Sequence, residues 1–360
     1  MAEAPVRGLL AVGLLLAASA ACTEEDAPLP EDGDAAAAAI TLRVRATGFT
    51  GTPEDIFRPF SERSGVAVSV EEVAPGDLLA WGDGSGDARA PDLLLVRDAV
   101  LLREAAERGL LVGTSARRLE TSIAPELRDE DGAWLGVGQW AVVVAYACGR
   151  VDAANVDRYT ALADSAWAGR LALPDEGALS ALLASRVGEF GDEAAAAWLE
   201  AVRANAVEAP PEGVASLLRS GATDATLAAT DRLAADLGPW ALPEARGGEE
   251  VCVAFPDQGG PGAHVRLAAA GVPARAARRE GGRRLLDFLA SEEGQTQLAR
   301  LVHLYPVRPN VPWPPRFLAW GDFMADTLHP AGLAELDARA SRLMAGPPPV
   351  PADSARGAGV

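Results

Sequence analysis

Short apolar runs and amphipathic stretches take turns along this chain, and that alternation admits few architectures. "ITLRVRA" puts Leu42, Val44 and Ala46 on one face with the period of two that marks a strand. "GTPEDIFRPFSERSG" follows as a helix: Thr52 as cap, Pro53 in the first turn, Glu54 and Asp55 at the positive end of the helix dipole, Gly65 as stop. "VAVSVEEV" reads as a second strand. "PDLLLV" is apolar throughout, as in a parallel strand buried on both faces, and a helix runs from Asp98 to Gly109. "WLGVGQWAVVVAYACG" is the longest strand-rich stretch, after which the character changes. "GRLALP", "ATLAA", "VCVAFP" and "AHVRLAAAGV" then alternate with helices that include "EGALSALLASRVGEF", an Ala-rich one capped by Asp192, "EGVASLLRSG" and a pair divided near Ser291. The pattern predicts two successive α/β units with open, mostly parallel sheets, and the strand near 140–147 as the crossover between them.

In such sheets ligands sit beyond the carboxyl ends of strands, where helix N-termini also present free N–H groups. The rule marks four turns. Thr47, Gly48 and Phe49 follow the first strand, and Arg97 and Asp98 follow "DLLLV". In the second unit, Asp175-Glu176-Gly177 with Ala178 follows "RLALP", and Thr230, Asp231 and Arg232 follow "ATLAA". Two turns from each unit suit a cleft between lobes. Asp98 and Asp231 are equally suited to capping helices.

Enzyme chemistry finds no foothold. His264, His303 and His329 stand apart from one another and from cysteine, and no G-x-S-x-G or HExxH pattern occurs. "GDGSGD" at 82–87 lacks the phosphate-loop lysine and the EF-hand carboxylates, and reads as a surface loop. His303, alone in "LVHLYPV", reads as structural.

The termini speak to location. Arg7 precedes a 13-residue apolar stretch, Leu9–Ala21, too short for a membrane span and ending in small residues before Cys22. It reads as a secretory signal, and "SAAC" resembles a lipobox that would acylate Cys22. "TEEDAPLPEDGDAAAAA" behind it has the composition of a flexible tether, and "GPPPVPADSARGAGV" that of a disordered tail. In an oxidising compartment Cys148 and Cys252 either bond to each other or sit as two small buried hydrophobes. The 51 acidic residues outnumber the 32 basic ones, all Arg, for a net charge of −19, which argues against a nucleic-acid partner.

Taken in order, "FSERSGVAVSVEEV", "APDLLLVRDAVLLREAAERGLL", "LRDEDGAWLGVGQWAVVVAY", "WAGRLALPDEGALSALLASRVGEFGDEAAAAWLEAVRAN" and the stretch from "GGPGAHVRLAAAG" to "LVHLYPVRPNV" resemble segments of bacterial extracellular solute-binding proteins of the ferric-iron ABC transporter type. The resemblance implies a class II periplasmic binding protein fold: two α/β lobes that close on a small-molecule or metal solute and deliver it to an ABC transporter permease. It implies a monomer in the periplasm or at the cell surface, with no catalytic activity. The corresponding division is a signal at 1–21, a lipidated tether at 22–39, lobe one at 40–138, lobe two at 139–252, a return to lobe one with C-terminal helices at 253–345, and a tail at 346–360.

No resident cofactor is expected; ferric ion enters through the resemblance alone, as cargo. Its ligand set is not reproduced. The family's paired tyrosines fall at Asp231 and Arg232, its acidic ligand at about Arg97 and its histidine at about Phe49. The turn holding its helper anion reads Glu176-Gly177-Ala178. Two guanidiniums facing two carboxylates suit a zwitterionic or carboxylate-bearing organic solute better than a hard cation, or else pair with each other and hold the cleft shut. The runner-up reading is a sensor or partner-recruiting lipoprotein with a degenerate cleft.

Overall fold

The computed structural model describes residues 40–81, 89–114, 122–208, 213–238, 251–326 and 330–346. The expected signal, Cys22, the 22–39 tether, the 82–87 loop and all of the tail but Gly346 lie outside them.

The first lobe starts with β1 (Thr41–Thr47), which pairs in parallel with β2 (Ala67–Glu72) on one side and β3 (Leu93–Val96) on the other. Two short helices, α1 (Pro53–Ile56) and α2 (Arg58–Ser64), carry the chain from β1 to β2, and α3 (Val100–Glu107) follows β3. Gly65 closes α2 in the left-handed region, φ 68°. Thr52 does not cap α1: its hydroxyl bonds the Asp55 carboxylate at 3.0 Å, so the helix start rests on Pro53 and the acidic first turn.

β4 (Trp134–Ala147) is 14 residues long and belongs to both lobes. Residues Trp134–Ala141 pair antiparallel with β9 (Val265–Gly271), which continues onto β3. Residues Val142–Tyr146 pair antiparallel with β7 (Ala225–Ala229), and Val144–Ala147 with β8 (Val251–Ala254). The second lobe is completed by the two-residue strands β5 (Leu171–Ala172) and β6 (Ala206–Val207), both in parallel registers. Its helices are α4 (Glu176–Asn205), kinked at Gly191, α5 (Val214–Arg219) and α6 (Thr230–Leu237). The sheet is therefore mixed. Parallel pairs survive where a helix links two strands, and the long crossovers β4 and β9 impose antiparallel pairing at the centre.

After β9 come α7 (Arg279–Leu289), α8 (Glu292–Leu301), α9 (Pro315–Trp320) and α10 (Pro330–Ala345). Ser291 caps α8 through Gly294 N–H, as expected of a break there. α10 lies along α4 and also meets α3, so it touches both lobes. Arg339 pairs with Asp192 just past the α4 kink.

The crossover is anchored by charge as well as by strand pairing. Arg266, buried in β9, donates from Nη1 to Asp98 (3.0 Å), from both terminal nitrogens to Asp337 on α10, and from Nε to His264 Nε2 (2.9 Å). That last bond fixes the tautomer, so His264 Nδ1–H donates to Asp326 (2.7 Å). Burial, with Arg266 beside it, lowers the pKa of His264 despite Asp326. Cys148 and Cys252 form a disulfide that ties the end of β4 to β8.

Candidate functional site

β3 and β7 both end at the seam between the lobes, and each delivers one charged side chain there. Arg97, directly after β3, donates from Nε to Asp231 Oδ2 (2.6 Å) and from Nη2 to Asp231 Oδ1 (2.8 Å). Asp231 stands in the first turn of α6, directly behind β7. The two side chains are 9% and 1% exposed. A bidentate fork of this kind satisfies both carboxylate oxygens at once. Burial opposes the charge on Arg97, but Asp231, with Asp175 and Asp98 behind it, outweighs that and raises the pKa of the guanidinium.

The crossover strand supplies the floor. The Arg97 guanidinium lies 3.7 Å from the Trp140 ring centre, and Trp140 Nε1 donates to the Arg97 carbonyl at 3.0 Å. A desolvated cation–π contact of this type contributes on the order of 2 kcal/mol. Ala141 N–H donates to Thr230 Oγ1 at 3.0 Å, which locks the start of α6 to β4.

The turn after β1 forms one wall. Arg97 N–H donates to the Thr47 carbonyl (3.1 Å), and Gly48 has a φ of 84°. A Cβ on Gly48 would sit 3.1 Å from Arg97 Cβ, so the loop's approach to the guanidinium stem requires glycine. Gly51 lies against the Leu301 carbonyl, two residues before His303. His303 is buried, holds a φ of 58° and senses Asp231: burial lowers its pKa and Asp231 partly restores it. Thr47 Oγ1 and His303 Nδ1 are buried without a hydrogen-bond partner among the described residues.

The expected residues divide into two groups. Thr47, Gly48, Arg97, Thr230 and Asp231 converge at the seam, while Phe49 packs into the first lobe's core. Asp98 faces the other way, bonding Val100 N–H and Arg266. Glu176 and Gly177 are exposed at the start of α4, and Ala178 is buried with its N–H on Asp175. Asp175, not Glu176, is the inward acid. It accepts from Ala178 and Ala229 N–H and lies 3.8 Å from the half-exposed Arg232.

Trp140 and His303 carry site geometry that residue spacing does not signal. Trp140 sits in a strand buried on both faces, so its direction was unreadable, and His303 reaches the site only through the packing of α8 against the first lobe.

As a metal centre the seam is poorly supplied. Among the described residues no group of three or more His, Cys, Asp or Glu is arranged to hold a metal ion. Burial raises the pKa of Tyr159 and Tyr305, which disfavours the phenolate a hard cation needs. Tyr159 Oη is also committed, donating to the Val142 carbonyl at 2.6 Å. Among the described residues no helix is long and apolar enough to cross a membrane.

Comparison with known proteins places this architecture. The iron uptake protein A1 of Synechocystis is 30% identical over 298 residues, spanning 81% of this chain and 83% of the relative. A Trichodesmium protein (IdiA, FutA) solved with iron and citrate ligands superposes with a TM-score of 0.71 at 25% identity, covering 85% of this chain and 98% of that one. The ferric binding protein of Campylobacter jejuni shares the fold, with a TM-score of 0.72 at 21% identity over 84% and 98% of the two chains. Residues 42–300 match the model of the bacterial extracellular solute-binding proteins, which bind and are not enzymes. With two lobes joined through β4 and β9 and a polar seam at the strand ends, the chain belongs to that bacterial extracellular solute-binding protein family.

Proposed function

We propose that this protein is the exported solute-capturing component of an ABC importer, and that its cleft takes a small organic zwitterion or carboxylate in preference to bare ferric ion. Two curated relatives are named for iron uptake, which supports a transport role. The observation that carries the choice of solute is the Arg97–Asp231 pair. Fe(III) needs several anionic oxygens, and here both oxygens of the buried carboxylate already hold a guanidinium, whose charge repels a metal. A zwitterion resolves the same geometry without stranding a charge. Its carboxylate takes the place of Asp231 on Arg97 while its cationic group takes the place of Arg97 on Asp231. Thr47 Oγ1 and His303 Nδ1 stand ready for further polar groups of the solute. Acylation of Cys22 would hold the protein at the membrane beside its permease.

A thermal-shift panel of ferric ion, ferric citrate, amino acids, polyamines and small phosphorylated compounds tests this. A carboxylate-bearing organic compound is expected to raise the melting temperature, and iron loading is expected to produce no visible phenolate charge-transfer band. A rise with ferric ion alone, abolished in Asp231→Ala, would overturn the choice of solute. The same ion pair also favours a second reading, a sensor whose cleft is latched shut. No shift with any compound, and a regulator gene rather than permease and ATPase genes beside this one, would select it.

A further inference from the structure

A cavity of about 870 Å³ lies between α4, β8 and the turn after it. It is remote from the seam. Tyr146 on its wall pairs with Ala225 at the start of β7, whereas Asp231 comes six residues later, beyond the far end of that strand, whose length alone is about 13 Å. The volume lies in the range of small-molecule sites.

Its wall is built around a buried charge. Arg186, in α4, is 3% exposed; its Nη2 forms an ion pair with Glu189 (2.7 Å) and donates to Asp257 (3.3 Å). Its guanidinium carbon lies 5.0 Å from the Phe190 ring centre and 5.4 Å from that of Tyr159. The Nε–H of Arg186 is buried and has no acceptor among the described residues. Asp257 is held at a φ of 60°, outside the comfortable region for a residue with a Cβ. Its amide bonds the Asp157 carbonyl (2.7 Å), and its own carbonyl accepts from Gly260 (2.8 Å) and Gly262 (3.1 Å). Backbone strain of this kind persists only where the surroundings enforce it, and it concentrates at ligand sites. Phe190 stands half-exposed at the cavity, one residue before the α4 kink.

The charges specify the occupant. Asp157 and Arg158 on the cavity's rim pair with each other (3.3 Å), and Glu189, Arg186 and Asp257 leave one net negative charge, so the cluster favours a cation. The Arg186 Nε–H calls for an acceptor oxygen on the same molecule, and the open Phe190 ring offers a face for an aliphatic or cationic group. We infer that this cavity is a second ligand site, for a small organic amine that also carries a carbonyl or hydroxyl oxygen, of the amino-acid amide class. This assignment holds whatever the seam binds.

L-lysinamide is the probe, with glutarate as its anionic counterpart, titrated into the full chain by calorimetry and by amide-proton NMR. Lysinamide is expected to bind saturably, to shift the amides of Glu189, Phe190 and Gly260, and to leave the Trp140 indole N–H signal in place. Glu189→Gln and Phe190→Ala, both at partly exposed positions, are each expected to weaken it roughly threefold to fivefold. Absence of saturable binding, preference for glutarate, shifts centred on Trp140, or unchanged affinity in both variants would each overturn the assignment. Shifts centred on Trp140 would instead report capture at the seam, which keeps the two sites distinguishable.

Discussion

Arg97 is a charge taken out of water, and what keeps it folded in place is a single carboxylate and one indole face. Replacing Arg97 with alanine strands Asp231, which is almost fully buried, and is expected to destabilise the protein by about 3–5 kcal/mol in chemical denaturation. The double replacement Arg97→Met with Asp231→Leu removes both charges together and is expected to lose far less than the sum of the single changes. Arg97→Lys cannot restore the fork, because an ammonium offers no planar pair of donors. His303 gives a pH signature at the same place. Its folded pKa lies below the ordinary 6.5, so below that value the unfolded chain binds a proton that the folded one refuses. The stability contribution is therefore present above pH 6.5 and falls as the pH drops from there to the lowered folded value, by up to about 1.4 kcal/mol per pH unit. His303→Asn keeps a residue that tolerates φ 58° and is expected to flatten that part of the stability profile between pH 7 and pH 5.

The strands show how far local pattern carries. β1, β3, β4, β7 and β9 were legible because alternation or an unbroken apolar run extends over at least four residues in each. β5 falls within the expected "GRLALP" but is only Leu171–Ala172, whereas β6, also two residues, is too short to carry a period and exists because α4 returns the chain to pair with β5. Topology was less legible than elements. Nothing in "AHVRLAAAGV" declares that it runs antiparallel between β3 and β4, since strand direction depends on which connection crosses between lobes. The site followed the same division. The strand-end rule points to Arg97 and Asp231, which pair with each other, and to the turn Asp175-Glu176-Gly177, where the phase at which α4 begins turns Asp175 inward and leaves Glu176 exposed. The disulfide acts at this scale too, closing a separation of 104 residues and pinning β8 to the end of β4. Cys148→Ser with Cys252→Ser is expected to lower stability by about 2–5 kcal/mol, read from denaturation with and without reductant.

Among the described residues the lobes are held in register by the crossover strands, the Arg266 network and α10 lying across α4 and α3, besides the Arg97–Asp231 pair. The first two run through the crossover, and on the proposed reading the Arg97–Asp231 pair, lying over Trp140 of that crossover, acts as the latch. Removing the latch while leaving the crossover intact is expected to shift the population toward an open form. The Arg97→Met, Asp231→Leu protein should therefore show a larger radius of gyration than the parent by small-angle scattering, at unchanged secondary structure. An unchanged radius would mean that α10 and the crossover alone fix the closure.

The latch has a consequence for timing. If Arg97 and Asp231 receive the solute as proposed, they are occupied with each other, so entry waits for them to part, and the waiting belongs to the protein alone. Stopped-flow capture rates should then level off as the visitor becomes more abundant, at a ceiling that loosening the handshake would lift, and the apparent affinity carries the toll of every moment spent shut.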